Sequence, residues 1–165
     1  GKYKITKVTE KNYYGNDLLY VGVFDRNDTR TIYNCIYKDG ETGISYAKRF
    51  AVTSVTRDKE YDITTGVSGS AIVWFSANHN GEAEIVKVQL RPKPKLKKTS
   101  FEYDFSTLAV KSKTARGNLL SKNVIQKITL RSKGISTIAG KDIWYDEDIQ
   151  KYIEFLNTGL KNYKK

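Results

Sequence analysis

The sequence is poor in the residues that build metal and disulfide sites. It has 165 residues, with one cysteine, one histidine, two prolines and no methionine. A single Cys35 excludes an internal disulfide and a cysteine-based zinc site, and a single His79 excludes a multi-histidine metal centre. No apolar run approaches the ~20 residues that a membrane helix needs, and the first residues are not a signal peptide. The lack of a possible internal disulfide indicates a reducing compartment. The lack of an initiator methionine indicates an excised fragment.

Acidic residues are also scarce, but only in one stretch. The chain has 29 lysines and arginines against 18 acids, a formal net charge of +11. Residues 87–133 hold thirteen of the basic residues and only two acids, Glu102 and Asp104, so the rest of the chain is neutral. A localised positive excess indicates a surface that binds a polyanion. The alternative interpretation is a solvated lysine-rich face.

Apolar and polar residues alternate at period two in nine windows, which predicts β-strands. Turn sequences rich in Gly, Asn and Asp separate the windows, so we expect an all-β protein made of hairpins and meanders. After about Tyr145 the apolar residues recur at helical spacing, which predicts one short C-terminal helix with a frayed tail. The windows are 2–8, 18–24, 31–37, 45–52, 71–76, 83–90, 101–105, 119–124 and 127–130.

A weak internal repeat relates two parts of the chain at an offset of 74 residues. Gly43 and Lys48, for example, recur as Gly117 and Lys122. Each unit has room for about four strands, the size of a propeller-type blade. The proline- and lysine-rich stretch 90–98 lies between the units, and we interpret it as an extended crossover from one blade to the next.

This organisation predicts three parts of the chain. The first is residues 1–89, a first blade and the start of the second. The next is residues 90–140, the basic crossover and the second blade. The last is residues 141–165, a C-terminal segment with the helix and the frayed tail.

Six runs of sequence together resemble the C-terminal domain of the A subunit of bacterial type IIA DNA topoisomerases, of the topoisomerase IV or gyrase-like type. The resemblance covers roughly residues 3–145. It implies a β-pinwheel, here a partial wheel of two to three four-stranded blades that exchange strands. The runs are YNCIYKDG (33–40), YAKRFAVT (46–53), TRDKEYD (56–62), NGEAE (80–84), LRPKPK (90–95) and ARGN (115–118).

The resemblance also implies a function and partners. Such a domain binds duplex DNA along a basic outer rim, bends it and presents a segment to the catalytic core of the A subunit for ATP-dependent strand passage. The ATPase B subunit is a further partner, the location is cytoplasmic and nucleoid-associated, and no membrane is involved. ATP and Mg act elsewhere in the holoenzyme, so this fragment is expected to hold no cofactor and to be non-catalytic alone. Residues 114–118 keep only the Arg-Gly of the gyrase box, which favours a topoisomerase IV-like subunit that decatenates and relaxes DNA.

Twelve basic residues are the candidate DNA contacts, and release of counterions from phosphates would supply most of the binding energy. Arg49 and Arg116 are the expected phosphate clamps, because a guanidinium binds two phosphate oxygens at once. For Lys48 and Arg49 the alternative is an ion pair with Asp58 or Glu60 across a hairpin. The twelve residues are Lys48, Arg49, Arg91, Lys93, Lys95, Lys97, Lys98, Lys111, Lys113, Arg116, Lys122 and Arg131.

Two other classes of function remain open at this point. A non-enzymatic RNA-binding β domain would show a similar charge pattern. A stand-alone enzyme is the weakest hypothesis, because the sequence has no nucleophile–base pair, phosphate loop or metal cluster. We interpret Trp74 and Cys35 as core residues, His79 as an exposed turn residue, and the pair Glu82 and Glu84 as no metal site.

Overall fold

The computed structural model describes residues 1–9, 11 and 13–138 of the chain. These residues form ten β-strands and one turn of 3-10 helix, Phe105–Thr107, with no α-helix in this part. The predicted all-β class is confirmed, and the predicted C-terminal helix lies outside the described residues. The strands are β1 (Lys2–Lys4), β2 (Ile32–Lys38), β3 (Ser45–Phe50), β4 (Glu60–Asp62), β5 (Ala71–Asn78), β6 (Ile85–Leu90), β7 (Ser100–Asp104), β8 (Val110–Lys111), β9 (Asn118–Ser121) and β10 (Ile125–Ser132).

Eight of the nine predicted windows contain a strand. The prediction for 18–24 is wrong: this segment has no regular structure, Val23 is exposed, and Tyr20 packs on Tyr33 and Phe75. Alternation alone does not make a strand, because the backbone also needs a neighbouring strand for its hydrogen bonds. The windows also miss the short strands β4 and β8.

A five-stranded sheet, called the central sheet below, contains β2, β3, β5, β8 and β9. In its antiparallel part, Ile36 of β2 lies opposite both Ala47 of β3 and Trp74 of β5. The other edge of β3 pairs with two strands, parallel β8 at Arg49 and Phe50 and antiparallel β9 at Ala47. β3 is therefore covered on both edges, and all six of its residues are buried.

The remaining strands form a three-stranded and a two-stranded sheet. The three-stranded sheet is antiparallel in the order β10-β6-β7, with Val88 of β6 opposite Ile128 and Phe101. In the two-stranded sheet, β1 pairs with β4, and Tyr3 stacks on Tyr61 with ring centres 5.2 Å apart. Tyr3 also packs against buried residues of the central sheet, so the two-stranded sheet lies on one side of it.

The chain passes repeatedly between the two larger sheets. After β5 it enters the three-stranded sheet as β6 and β7, returns to the central sheet as β8 and β9, and goes back as β10. The repeat units at an offset of 74 residues are therefore not two separate blades, because β3 and its counterpart β9 are neighbours in one sheet.

Two hydrophobic clusters lie on opposite faces of the central sheet. Neighbouring residues of β2 alternate between them, as the period of a strand requires. The first cluster joins the central sheet to the three-stranded sheet, and the second lies on the side of the two-stranded sheet. The first consists of Ile36, Ala47, Val86, Val88, Leu90, Phe105 and Leu108. The second consists of Cys35, Tyr37, Tyr46, Phe50 and Ile63.

The proline- and lysine-rich stretch after β6 is a hairpin loop. β6 and β7 are antiparallel neighbours, with Gln89 opposite Ser100, and the Leu90 N–H donates to the Thr99 carbonyl at 2.7 Å. The prediction of a blade-to-blade crossover at 90–98 is therefore wrong. Prolines are tolerated here because a loop needs no ladder donors. The predicted boundary after residue 89 falls at the end of β6, whose partners β7 and β10 both come from the next predicted part.

Candidate nucleic-acid interface

The hairpin loop between β6 and β7 presents five cations to solvent. At its tip the Leu96 N–H donates to the Lys93 carbonyl at 3.1 Å, and Lys95 adopts a φ of 68°. Pro94 followed by a residue with positive φ is typical of a type II turn. Leu96 packs against the first hydrophobic cluster and so anchors the loop to the sheet. The exposed cations are Arg91, Lys93, Lys95, Lys97 and Lys98.

A sixth cation, Lys122, lies at the same end of the three-stranded sheet. It is exposed in the turn between β9 and β10, where the Ser121 Oγ accepts from the Asn123 N–H at 2.9 Å. The carbonyl of the following residue, Val124, accepts from the Arg91 N–H at 2.8 Å, so this turn lies beside the hairpin loop. We call these six residues the basic end: Arg91, Lys93, Lys95, Lys97, Lys98 and Lys122.

Three further cations lie on the face of the three-stranded sheet that is turned away from the core. Val86 and Val88 are buried, so Lys87 between them points to the opposite face. Lys127 of β10 lies opposite Gln89 on this same face. The sequence-based candidates include Arg131 but miss Lys87 and Lys127, whose orientation depends on the strand register. We call this surface the outer face: Lys87, Gln89, Glu102, Lys127 and Arg131.

One acid, Glu102, lies among the cations of the outer face. Its Oε1 is 3.6 Å from the Arg131 Nε, and the two side chains are 63% and 49% exposed. β6 lies between the strands that carry this ion pair, and Lys87 of β6 is opposite Glu102 in register. The other acid of the basic window, Asp104, caps the 3-10 turn by accepting from the Ser106 N–H at 2.7 Å.

Three predicted contacts lie within residues 110–117, and the first two differ in how available they are to a ligand. Lys111 is exposed at the end of β8. The Lys113 ammonium instead donates to the Thr53 and Ser54 carbonyls at 2.6 and 3.1 Å and lies 5.0 Å from the centre of the Tyr61 ring. Lys113 therefore links the segment after β8 to the loop after β3.

Arg116, the third of these contacts, lies over an aromatic ring. Its guanidinium carbon is 4.6 Å from the centre of the Tyr46 ring, and its Nη2 donates to the Tyr46 hydroxyl at 2.7 Å. Its carbonyl accepts from the Tyr37 hydroxyl at 2.7 Å. The next residue, Gly117, has a φ of 93°, and a Cβ there would lie 2.6 Å from the Ala47 carbonyl oxygen. Glycine is therefore required for this turn to lie against β3. Arg116 itself is exposed.

Lys48, a predicted DNA contact, is buried with 3% of its surface exposed. Its ammonium donates to the Lys113 carbonyl at 2.9 Å and to the Ala115 carbonyl at 3.1 Å, and it lies 5.0 Å from the centre of the Phe50 ring. Burial lowers the pKa of Lys48. The structure contradicts a phosphate contact for this residue, because its donors already pair with backbone carbonyls inside the protein.

Arg49, a predicted phosphate clamp, is only 2% exposed. Its Nε donates to the Asn34 Oδ1 at 3.0 Å, and its Nη2 donates to the Gly81 and Glu82 carbonyls at 3.1 and 3.4 Å. Burial lowers the pKa of Arg49. The structure contradicts the clamp, because the guanidinium lies in the interior and joins β3 to the turn that precedes β6.

The alternative prediction for the two cations of β3, an ion pair with Asp58 or Glu60, is also wrong. Glu60 pairs with Lys2 at 3.0 Å across the two-stranded sheet. Asp58 has a φ of 62° in the loop before β4, where its N–H donates to the Ile5 carbonyl at 2.8 Å. Within the described residues, neither acid forms an ion pair with β3.

Glu84 organises a buried polar network that the sequence does not signal. The residue is fully buried, and its carboxylate accepts from the Asn34 Nδ2 at 3.3 Å, the Trp74 Nε1 at 3.4 Å and the Ser76 hydroxyl. The exposed Lys133 reaches it with its Nζ at 3.3 Å. The Asn34 Oδ1 also accepts from the buried guanidinium of Arg49. One network therefore runs from β3 through β2 to β5 and the loop before β6.

The remaining sequence predictions concern residues that we did not expect to bind a ligand. Cys35 is buried, and burial raises the pKa of its thiol to about 12; Trp74 is partly buried against the first cluster, and His79 is exposed. Among the described residues, no three His, Cys, Asp or Glu side chains are grouped so as to hold a metal ion. The described part of the chain also has no helix with the length and apolar character needed to cross a membrane.

The fold and this surface define an all-β protein with a concentrated cationic face. Residues 1–133 match the family described as topoisomerase C-terminal domain, Bacteroidota, and the chain belongs to this family. The match confirms the resemblance as far as a bacterial topoisomerase C-terminal domain. No curated protein and no solved structure matches the chain.

Proposed function

We propose that this chain is the duplex DNA-binding and DNA-bending module of a type IIA topoisomerase A subunit. In this role it presents a DNA segment to the catalytic core for ATP-dependent strand passage, with decatenation and relaxation as the outcome. Family membership supports the topoisomerase assignment. The observation that carries the DNA-binding role is the gathering of six exposed cations at the basic end, next to the cations of the outer face.

The binding energy would come mainly from release of counterions from the phosphates. Duplex DNA carries one charge per ~1.7 Å of helix axis, and an eight-residue strand such as β10 is ~26 Å long, so a duplex along the outer face would meet several phosphates. Contacts made by lysines to phosphates carry no base information, so we expect weak sequence preference.

We further propose that the sheets are part of a β-pinwheel in which neighbouring blades exchange strands. The chain passes from the central sheet to the three-stranded sheet, returns, and then enters the three-stranded sheet a second time, which supports such an exchange. Cations at the end and on the face of one sheet lie on surfaces that meet at an angle, which favours a bent duplex. Bending costs a few kcal/mol, and phosphate contacts along the path would offset this cost.

In the holoenzyme we expect the catalytic core of the A subunit and the ATPase B subunit as partners, and the cytoplasm as the location. We propose that this chain has no catalytic site of its own and no cofactor, and that ATP and Mg act on the other parts. The nucleophilic tyrosine would likewise belong to the core.

Reversal of charge in the hairpin loop tests the proposal. Changing Lys93, Lys95, Lys97 and Lys98 to Glu should weaken binding to a short duplex by at least tenfold at low salt. It should also flatten the plot of log affinity against log salt, by about 0.9 for each phosphate that the protein no longer neutralises. Fluorescence anisotropy with a labelled duplex at several salt concentrations measures both quantities.

A matched control separates a local effect from one of net charge. Changing four exposed lysines outside this surface to Glu alters the net charge by the same amount and should leave the salt slope near that of the unchanged protein. Equal losses in the two variants would contradict a defined interface. Clear preference for a structured RNA competitor over the duplex would favour the RNA-binding alternative. The control lysines are Lys4, Lys7, Lys11 and Lys38.

A further inference from the structure

We propose that Glu102 weakens DNA binding at the outer face and so sets how readily the duplex is released. This inference rests on the proposed function. The geometry behind it is local: the Glu102 carboxylate pairs with Arg131 and lies opposite Lys87 in the register of β6 and β7.

Glu102 competes with phosphate for one cation in particular. The ion pair with Arg131 crosses over β6, so it holds the guanidinium over the sheet instead of leaving it free to face a ligand. A phosphate that approaches Arg131 must displace this carboxylate, and it also meets the repulsion of an uncompensated negative charge. Both effects lower the affinity of the duplex.

The ion pair contributes little to folding. Both side chains are about half exposed or more, and ion pairs between exposed side chains add little or nothing to the stability of a protein. The acid of the pair points into solvent from a strand position that any polar residue would fill. Its placement among cations therefore has a larger consequence for a polyanionic ligand than for stability.

Lys87 extends the effect of the carboxylate to a second cation. It lies directly opposite Glu102 in the register of β6 and β7, where side chains on one face are neighbours. Removal of the negative charge would thus raise the positive potential at Lys87 as well as at Arg131.

The test is the isosteric change Glu102→Gln. We expect duplex binding to tighten by about two- to fivefold at low salt, and the salt slope to steepen by up to ~0.9, because one more cation becomes available to phosphate. Glu60→Gln is the matched control, because it removes the same charge from an exposed ion pair on the two-stranded sheet. It should leave both the duplex affinity and the salt slope near those of the unchanged protein.

A double-mutant cycle assigns the gain to the ion pair. Arg131→Gln should reduce binding only slightly in the unchanged protein but remove most of the gain in the Glu102→Gln background. If Glu102→Gln leaves duplex affinity unchanged, or if Glu60→Gln raises it equally, the proposed effect of Glu102 is overturned while the DNA-binding role stands. If the unchanged protein does not bind the duplex at low salt, the proposed function and this inference both fail.

Discussion

Two groups of basic residues in this protein differ in their exposure to solvent. Lys48 and Arg49 of β3 are buried and donate to groups inside the protein, whereas the lysines of the loop between β6 and β7 are exposed. The difference comes from the position of each segment in a sheet. β3 has strands on both edges, and the loop has solvent around it. The number of cations in a segment therefore does not measure its contribution to a binding surface.

The buried pair and the exposed group should respond in opposite ways to substitution. Loss of a buried cation leaves carbonyl oxygens without donors, which lowers stability and leaves the surface charge pattern largely unchanged. Loss of an exposed cation changes ligand affinity and leaves stability near its original value. Three substitutions, taken from the largest expected effect to the smallest, sharpen this comparison.

Arg49→Leu should have the largest effect, because the Asn34 Oδ1 and the Gly81 and Glu82 carbonyls each lose a buried donor, although Gly81 keeps its bonds from Thr137. We expect a loss of about 3 kcal/mol in the free energy of unfolding, measured by urea denaturation. Duplex affinity of the folded protein should stay within about twofold, measured under conditions where the variant is folded.

The matched control for this substitution is Lys97→Ala in the exposed loop. Its unfolding free energy should stay within ~0.5 kcal/mol of the original. The comparison breaks if Arg49→Leu is as stable as Lys97→Ala, or if Arg49→Leu weakens duplex binding while it remains folded.

Lys48→Met should cost less at neutral pH, about 1 kcal/mol, because the methionine keeps the apolar contacts while the Lys113 and Ala115 carbonyls lose a donor. The sign of the pH dependence is specific. Burial lowers the pKa of Lys48 in the folded protein below its ordinary value of 10.5, so the unfolded chain binds more protons in the window just below 10.5. In that window the unchanged protein gains stability relative to Lys48→Met as the pH rises.

Urea denaturation of both proteins at several pH values between about pH 8 and pH 10 measures this difference. The comparison between the two proteins is needed because tyrosines with raised pKa values, such as Tyr37, lower the stability of both proteins as the pH approaches and passes 10. A stability difference that does not depend on pH would mean that Lys48 is as solvated as the loop lysines.

The fold class and most strands could be predicted because alternation at period two is a local property of the sequence. The short β8, with only two residues, carries no such signal. The burial of Lys48 could not be predicted either, because it depends on β8 and β9, which come about sixty to seventy residues later in the chain. Local sequence does not specify which strand is central in a sheet.

The hairpin loop illustrates the same limit for the candidate site. Its cations could be predicted as exposed, because proline and lysine are unfavourable in central strands. That this loop joins β6 and β7 as a hairpin could not be predicted. The turn at its tip relies on a positive φ at Lys95, a conformation for which glycine is the usual signal. The cations of the outer face, Lys87 and Lys127, could not be selected from the sequence because their orientation follows from the pairing of β6 with β10.

The smallest expected effect separates two lysines that both lie in turns outside the strands. Lys122 belongs to the basic end, whereas the ammonium of Lys113 is held by the Thr53 and Ser54 carbonyls. Lys122→Gln should weaken duplex binding by about two- to fivefold at low salt and reduce the salt slope by up to ~0.9, as expected for one phosphate contact. Lys113→Gln removes the same charge but should leave the slope unchanged and instead lower stability by ~1 kcal/mol. Anisotropy titrations at several salt concentrations, paired with urea denaturation, measure both quantities for each variant. If the two substitutions reduce the salt slope equally, then charge alone determines binding, and the intramolecular hydrogen bonds of Lys113 do not remove it from the interface.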